Sequence, residues 1–449
     1  MKSAFVDYYC CPEELIDLRP LNPATAEKHA GFFRFGTGLI CYGRAGVPVC
    51  EKASDNLSDA LQGMQFKDGH CLLPFNPSEV AANHRYERYV RDVDQNKLKS
   101  ILHFMYYTVR PMLPVAVRRH LQKLWLERRQ IEAFPSWPVD CTVDKMFATI
   151  MHSLLMASPE RKIPFIWFWP EGKSSCAMMT HDVETSVGLD FVDELMNIDD
   201  SFGIKSSFQL IPDARYSVTQ KRLEQIRSRG FEVNCHDLKH DGHLFEDHAR
   251  FLIAAEVINS FTRDFQTQGF RSGALYRKQE WMSALEVSYD MSVPNVARFD
   301  PQAGGCCTVM PYFVDDILEL PVTTIQDYTL FHVLEDYSMK IWDEQIQCIM
   351  QQNGLISFIV HPDYLKSRAA RASYEALLAR LDDLRAKANL WVALPGEVNK
   401  WWRERAAMKL VRRGNHWAIE GQGSEHACIA HAVLSSNRVC YEFESAVCS

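Results

Sequence analysis

Met178-Met179-Thr180-His181-Asp182-Val183-Glu184-Thr185 is an apolar run that stops in two carboxylates one residue apart. A strand buried on both faces reads as such a run, and α/β folds place their chemistry just past the carboxyl ends of such strands. Along a strand, residues two apart share a face, so Asp182 and Glu184 point the same way. Two carboxylates so placed can grip a metal ion or hold a proton. The same letters also spell a strand running into a helix N-terminus, where Thr185 caps and the acids offset the helix dipole.

The residues downstream decide how the stretch is read. From Ala177 onward strand and helix patterns alternate. Leu189–Phe202 reads as an amphipathic helix, 206–211 as a strand, Val218–Arg229 as a helix stopped by Gly230. Phe231–Cys235 is a strand that delivers His236. A long helix is predicted over 246–266, a strand ending at Arg271, a helix over Lys278–Leu285 and a strand at 318–322. Asp343–Gln352 is a helix stopped by Asn353-Gly354, and Leu355–Val360 is a buried strand that delivers His361. A helix over 371–388 and a strand at 390–392 complete the series. Such alternation predicts a parallel sheet, and the number of repeats predicts an α/β barrel or near-barrel. The irregular stretch Pro294–Pro311 is long for a loop and is expected to line the site.

Four strand ends therefore carry polar groups: Asp182/Glu184, His236/His240, Arg271 and His361. In a barrel these converge on one face. His236-Asp237-Leu238-Lys239-His240 sets two imidazoles four residues apart, which on a helical turn puts both rings on one side. Asp237 or Asp241 would then fix an imidazole tautomer. Two histidines and one carboxylate, with further positions open, suit a catalytic Zn²⁺ or another divalent ion.

The order of these motifs resembles the polysaccharide deacetylase family (carbohydrate esterase family 4, the NodB-homology domain). The residues that carry the resemblance are Thr180-His181-Asp182-Val183-Glu184, His236-Asp237-Leu238-Lys239-His240, Arg271-Ser272-Gly273-Ala274, Tyr289-Asp290 through Pro294, and Ile359-Val360-His361, over about residues 175–400. The resemblance implies a distorted (β/α) barrel and metal-assisted amide hydrolysis, with Zn²⁺ as the expected ion. It matches Asp182 to the general base, Arg271 to the group that orients it and His361 to the general acid. It matches His236 and His240 to metal ligands. The family's second Asp is Val183 here, so Glu184 is the candidate carboxylate ligand, as in a DVE-type variant; the alternative is that Asp182 itself binds the ion. The resemblance implies removal of an N-acyl group, acetyl above all, from an amino sugar or glycan precursor. DVE forms also occur in relatives that open cyclic imides or ureides, and a non-catalytic carbohydrate-binding relative is the third reading. Tyr276, Trp281 and Pro294 are candidate substrate contacts, the first two either as a sugar platform or as core packing. His181 is read as a packing or supporting residue, and Asp327 as either a loop cap or a substrate contact.

Around this 175–410 unit the reading places a small β-rich region (1–95), a helical connecting region (96–174) and a C-terminal β appendage (411–449). A helix is expected from Pro395 to about Arg412. Leu98, Ile101, Leu102, Met105 and Tyr106 recur at helical spacing, and 118–129 reads as a basic amphipathic helix, either packed with a solvated basic face or touching a membrane surface or polyanion.

With 449 residues the chain is long enough for two or three domains. Its net charge of −8 argues against a general nucleic-acid binder. Its 14 cysteines are scattered, without CxxC or zinc-finger spacing. MKSAFVDYYCCPEE lacks the apolar core and cleavage site of a signal peptide, so a reducing, cytoplasmic setting is expected.

Overall fold

A computed structural model of the protein describes residues 3–16, 18–20, 29–53, 56–67, 70–91, 134–158, 161–213 and 215–444. The basic segment 118–129 and the helical pattern at 98–106 lie outside the described residues.

Among its described residues the N-terminal region contains the short strands β1 (Leu18–Pro20), β2 (Gly31–Arg34), β3 (Ile40–Gly43), β4 (Gln65–Lys67) and β5 (His70–Leu73). They form a β2–β3 hairpin and a β1-β5-β4 sheet. A helix, Thr142–Ala157, then leads to β6 (Lys162–Ile166).

The site is carried by the next sheet. Its members are β7 (Cys176–Val183), β8 (Ser207–Leu210), β9 (Glu232–His236), β10 (Gly269–Arg271), β11 (Tyr289–Asp290), β12 (Tyr312–Val314), β13 (Ile317–Glu319), β14 (Leu355–Val360) and β15 (Trp391–Val392). The order is β12-β13-β11-β10-β9-β8-β7-β14, with β15 also on β7. Every pairing is parallel except β12 with β13. Because β7 is flanked on both sides and covered on both faces, all eight of its residues are buried. This explains its unbroken apolar pattern.

The sheet is a distorted barrel whose open edge is bridged by threonine hydroxyls and by one backbone bond, Thr324 N to the Ser357 carbonyl at 3.3 Å. No ladder joins β12 to β14 among the described residues. The gap is spanned by Thr323 and Thr324. Thr323 Oγ1 donates to the Leu355 carbonyl at 2.8 Å and accepts from Ser357 N at 2.8 Å, and Thr324 Oγ1 donates to the Ser357 carbonyl at 2.7 Å.

Two outer elements differ from the sequence pattern. The helix from Pro395 ends at Ala407, five residues before the expected stop, because residues 409–413 are claimed by a hairpin. There β16 (Lys409–Arg413) pairs with β17 (His416–Glu420) across Gly414, whose φ of 62° favours glycine. The expected helix over 278–285 is a short 3₁₀ stretch, Gln279–Ala284. The remaining strands, β18 (Ile429–Ser435) and β19 (Arg438–Phe443), pair with each other, and β18 pairs antiparallel with β6. One apolar core runs through the N-terminal helix Ala4–Tyr9, the helix Thr142–Ala157, β6 and β18. None of the helices described is long and apolar enough to cross a membrane.

Candidate active site

Alternation along β7 turns Thr180 and Asp182 into the barrel and His181 and Val183 outward. Thr180 and Asp182 both meet Arg271, which comes from the end of β10. Arg271 Nη1 donates to Asp182 Oδ1 at 2.9 Å and to Thr180 Oγ1 at 2.7 Å, and its Nε donates to the Met291 carbonyl at 3.0 Å. The outward residues pack: Val183 joins the core beneath the helix Ser186–Ser201. His181 lies in a buried network with Asp199 and Tyr374, its Nδ1 3.1 Å from the Val360 carbonyl. Thr185 caps that same helix, accepting from Gly188 N at 3.0 Å. The strand-to-helix reading of the stretch and the site reading thus hold together.

Glu184, His236 and His240 converge. One ligand atom from each lies within 4.8 Å of the other two. His236 stands at the end of β9, and its Nδ1 is 3.0 Å from the Arg271 carbonyl. That contact places the proton on Nδ1 and turns the Nε2 lone pair into the site. His240 is not on a helical turn. Asp237 and His240 have φ of 56° and 54°, which breaks any helix, and the two rings meet through a looped turn with centroids 4.8 Å apart. The turn is tied down by Asp237, whose Oδ1 accepts from Leu238 N and whose Oδ2 accepts from Gly273 N at 2.9 Å. His240 Nε2 is 2.9 Å from Glu184 Oε1 but off the hydrogen-bonding direction. It and His236 Nε2 are both buried without a hydrogen-bond partner. Two buried imidazole nitrogens left open toward one carboxylate fit a divalent cation, since such atoms are otherwise costly to leave unsatisfied.

His361 flanks the cluster on one side. Its Nε2 is 3.3 Å from Glu184 Oε1, and its Nδ1 is 2.6 Å from Asp327 Oδ1. Asp182 flanks it on the other, with Oδ2 3.8 Å from His236 Nε2.

The charges are set by opposing effects. Burial disfavours the Asp182 carboxylate, but Arg271, with His236 and His361, outweighs it and holds the pKa below the usual range. Burial likewise opposes Glu184, yet His240 and His361 keep it well below. Burial lowers His236, against the pull of Asp182, which favours the neutral ring a metal needs. Burial also works against protonated His361, but Asp327 and then Glu184 raise its pKa well above the ordinary value.

Asp182, Glu184, His236, His240, Arg271 and His361 are therefore brought together. Trp281 is not. It packs with Phe245, Phe251 and His248 in a cluster that also contains Cys235 and Phe270, on the face of β9 and β10 opposite His236 and Arg271. Its short 3₁₀ stretch is held against the helix His248–Asp264, so apolar packing takes the ring away from the site. Tyr276 packs beside the same cluster. Pro294 lines a pocket with Trp137, Leu275, Phe299 and Val322, next to Gln326. Asp290, counted with the fourth motif, lies beneath the site, hydrogen-bonded to Ser292 and to Glu319.

The sequence leaves Asp327 open between a loop cap and a substrate contact; in the structure it is the partner of His361. Its two oxygens take the Nδ1 and, at 2.7 Å, the backbone N–H of His361. Asp327 is 34 residues from His361, so only the barrel's closing loop joins them. Cys306 and Cys307 are buried thiols, and no cysteine pair is bridged among the described residues.

No protein-family model and no curated protein matches the chain. Solved structures do. A protein described as a polysaccharide deacetylase from Mycobacterium smegmatis superposes with a TM-score of 0.44 at 16% identity, covering 56% of this chain and 98% of its own. A polysaccharide deacetylase from Pseudomonas aeruginosa PAO1 gives 0.41 at 11% identity, over 52% of this chain and 93% of its own. The Puue allantoinase gives 0.39 at 11% identity, over 52% and 92%.

Proposed function

We propose that this chain is a metal-dependent amidohydrolase of the polysaccharide deacetylase type, which removes an N-acyl group from an amino sugar or glycan precursor. The observation that carries the reading is the convergence of Glu184, His236 and His240 between a charge-paired Asp182 and a charge-paired His361. Glu184, His236 and His240 would hold a divalent ion, Zn²⁺ by donor type. Such an ion supplies Lewis-acid polarisation of an amide oxygen and acidifies water at the site.

The chain's own residues supply the proton traffic. Asp182, kept anionic by Arg271, accepts the proton of the attacking water. Its pairing lowers its basicity, but it fixes the oxygen that must face the water. Water oxygen bonds to the acyl carbon, and the C–N bond breaks as His361 Nε2 gives its proton to the amine nitrogen. The products are a carboxylic acid and an amine. Asp327 holds His361 in the tautomer and charge state that this needs.

The test is metal content of the purified protein beside His236→Ala, Glu184→Ala and His361→Ala, with turnover on N-acetyl amino sugars and on small cyclic ureides. About one ion per chain, lost in the first two variants and kept in the third, with N-acetyl turnover lost in all three, supports the reading. Ion retained in Glu184→Ala moves the carboxylate role to Asp182. No metal under any loading condition overturns the proposal, and turnover confined to ureides replaces its substrate.

A further inference from the structure

Beside His361 lies a set of rings that the reaction above does not use. Tyr364 follows His361 by three residues, with ring centroids 4.8 Å apart and planes tilted by 37°. His332 meets Tyr364 edge-on at 4.4 Å, and Tyr328 lies 6.0 Å from Tyr364 and 5.8 Å from His332. All three are partly exposed, although their supports are buried. Tyr328 opens a π-helical turn, Thr329–Leu334, whose Leu330, Phe331 and Val333 face the core. Phe331 stacks on Tyr337 and abuts Trp342. Single π-helical turns are uncommon and concentrate at functional sites. Here the turn fixes Tyr328 and His332 on one side while its other side is locked.

We propose that Tyr364, Tyr328 and His332 form the platform on which the leaving, amine-bearing half of the substrate rests, and that this half is a saturated ring of pyranose size. The inference rests on His361 being the acid. A proton donor must come within hydrogen-bond reach of the nitrogen it protonates. His361 Nδ1 is held by Asp327, so Nε2 is the donor, and the amine sits at Nε2. The leaving half then extends from that point along the next available surface, the Tyr364 ring. Aromatic faces carry negative potential, which attracts both the C–H face of a saturated ring and the ammonium that the product amine becomes. The acyl half has no need of such a surface.

The probe is methyl 2-amino-2-deoxyglucopyranoside, the deacylated amine, titrated into the full-length protein and followed by ligand-observed NMR. Saturable binding is expected, weakened about tenfold in Tyr364→Ala and in Tyr328→Ala, and kept within about twofold in Tyr364→Phe, which retains the ring face. Melting curves identify any variant that does not fold, and the other alanine variant then carries the comparison. No binding to the wild type, or binding unmoved in the folded alanine variants, overturns the platform. Turnover of N-acetyl sugars with tyrosine-independent binding leaves the proposed function standing and removes the platform. Tyrosine-dependent binding without turnover does the reverse.

Discussion

Asp327 grips His361 twice, through Nδ1 at 2.6 Å and through the backbone N–H at 2.7 Å. The backbone contact fixes where the ring starts, and the side-chain contact fixes how it turns and which nitrogen remains for the substrate. Asp327 is fully buried, so its charge acts on His361 with little screening. In the proposed reaction the acid form of His361 is the active one, and it disappears as pH rises through the His361 pKa. Asp327→Asn removes the largest of the influences that raise that pKa. The alkaline limb of the kcat/KM profile is therefore expected to move to lower pH. His361→Ala is expected to lose roughly 10²–10⁴-fold in kcat with metal content unchanged. A pH–rate profile that Asp327→Asn leaves in place would sink the assignment.

Arg271 bears on the acidic limb. It is fully buried and its Nη1 serves Asp182 and Thr180 together. Arg271→Met leaves the Asp182 carboxylate buried without its main counter-charge, so its pKa rises and the acidic limb moves to higher pH. Breaking a buried pair from one side costs about 3–5 kcal/mol, readable in urea melts. Linkage gives the same sign. Asp182 has a depressed folded pKa, so its contribution is present above the ordinary carboxylate range and fades as pH falls through the folded value. The pH dependence of stability in acid should flatten in the variant.

Gly273 tests the support of the histidine turn. A Cβ added there would stand 2.3 Å from Asp237 Oδ2 and 3.0 Å from His240 Cδ2. Gly273→Ala must push the carboxylate that fixes the turn, and with it the His240 ring. Metal affinity is expected to fall about 10–100-fold while the melting temperature shifts only a few degrees, because the residue sits at the barrel rim. Unchanged affinity in a competition titration with a chromophoric chelator would show that the turn repacks freely.

What the sequence disclosed about this site follows from where each residue gets its position. Asp182, His236, Arg271 and His361 stand at or just past the ends of strands, so a correct reading of the apolar runs placed them without knowledge of any contact. The spacing of His236 and His240 pointed to a shared ligand site but to the wrong local form. Asp and His are enriched in left-handed backbone, but the tendency is weak and does not mark Asp237 and His240 from the sequence alone. The sequence leaves Asp327 unassigned, because its partner is 34 residues away and the connection runs through the loop that bridges the barrel's open edge. Trp281 is ambiguous for the opposite reason. An aromatic that follows Arg271 reads equally as a sugar platform or as core, and Phe245 and Phe251, on the far side of the strands, claim it by packing. The aromatic surface beside His361 is built by a π-helical turn, whose irregular period hides it from a search for regular helices.

A pair of buried carboxyls lies close to Arg271. Asp290 and Glu319 face each other across β11 and β13, buried and hydrogen-bonded through their carboxyl groups. Burial raises both, and their mutual repulsion forbids two charges, so the pair shares one proton. Glu319 is the one raised well above the ordinary range, by burial and by Asp290, which makes it the member to test as the proton's holder. The pair also anchors the segment that carries Arg271. Glu319 Oε1 accepts from Val293 N at 3.0 Å. Asp290 Oδ1 accepts from Ser292 Oγ, which in turn accepts from Ser272 N at 2.9 Å. A neutral amide can replace a protonated carboxyl but a methyl cannot. Glu319→Gln should therefore cost within about 1 kcal/mol, whereas Glu319→Ala strands Val293 N–H and Asp290 and should cost about 2–3 kcal/mol. Urea melts at neutral pH measure both. Equal costs would count against a protonated Glu319 and place the pair's shared proton on Asp290.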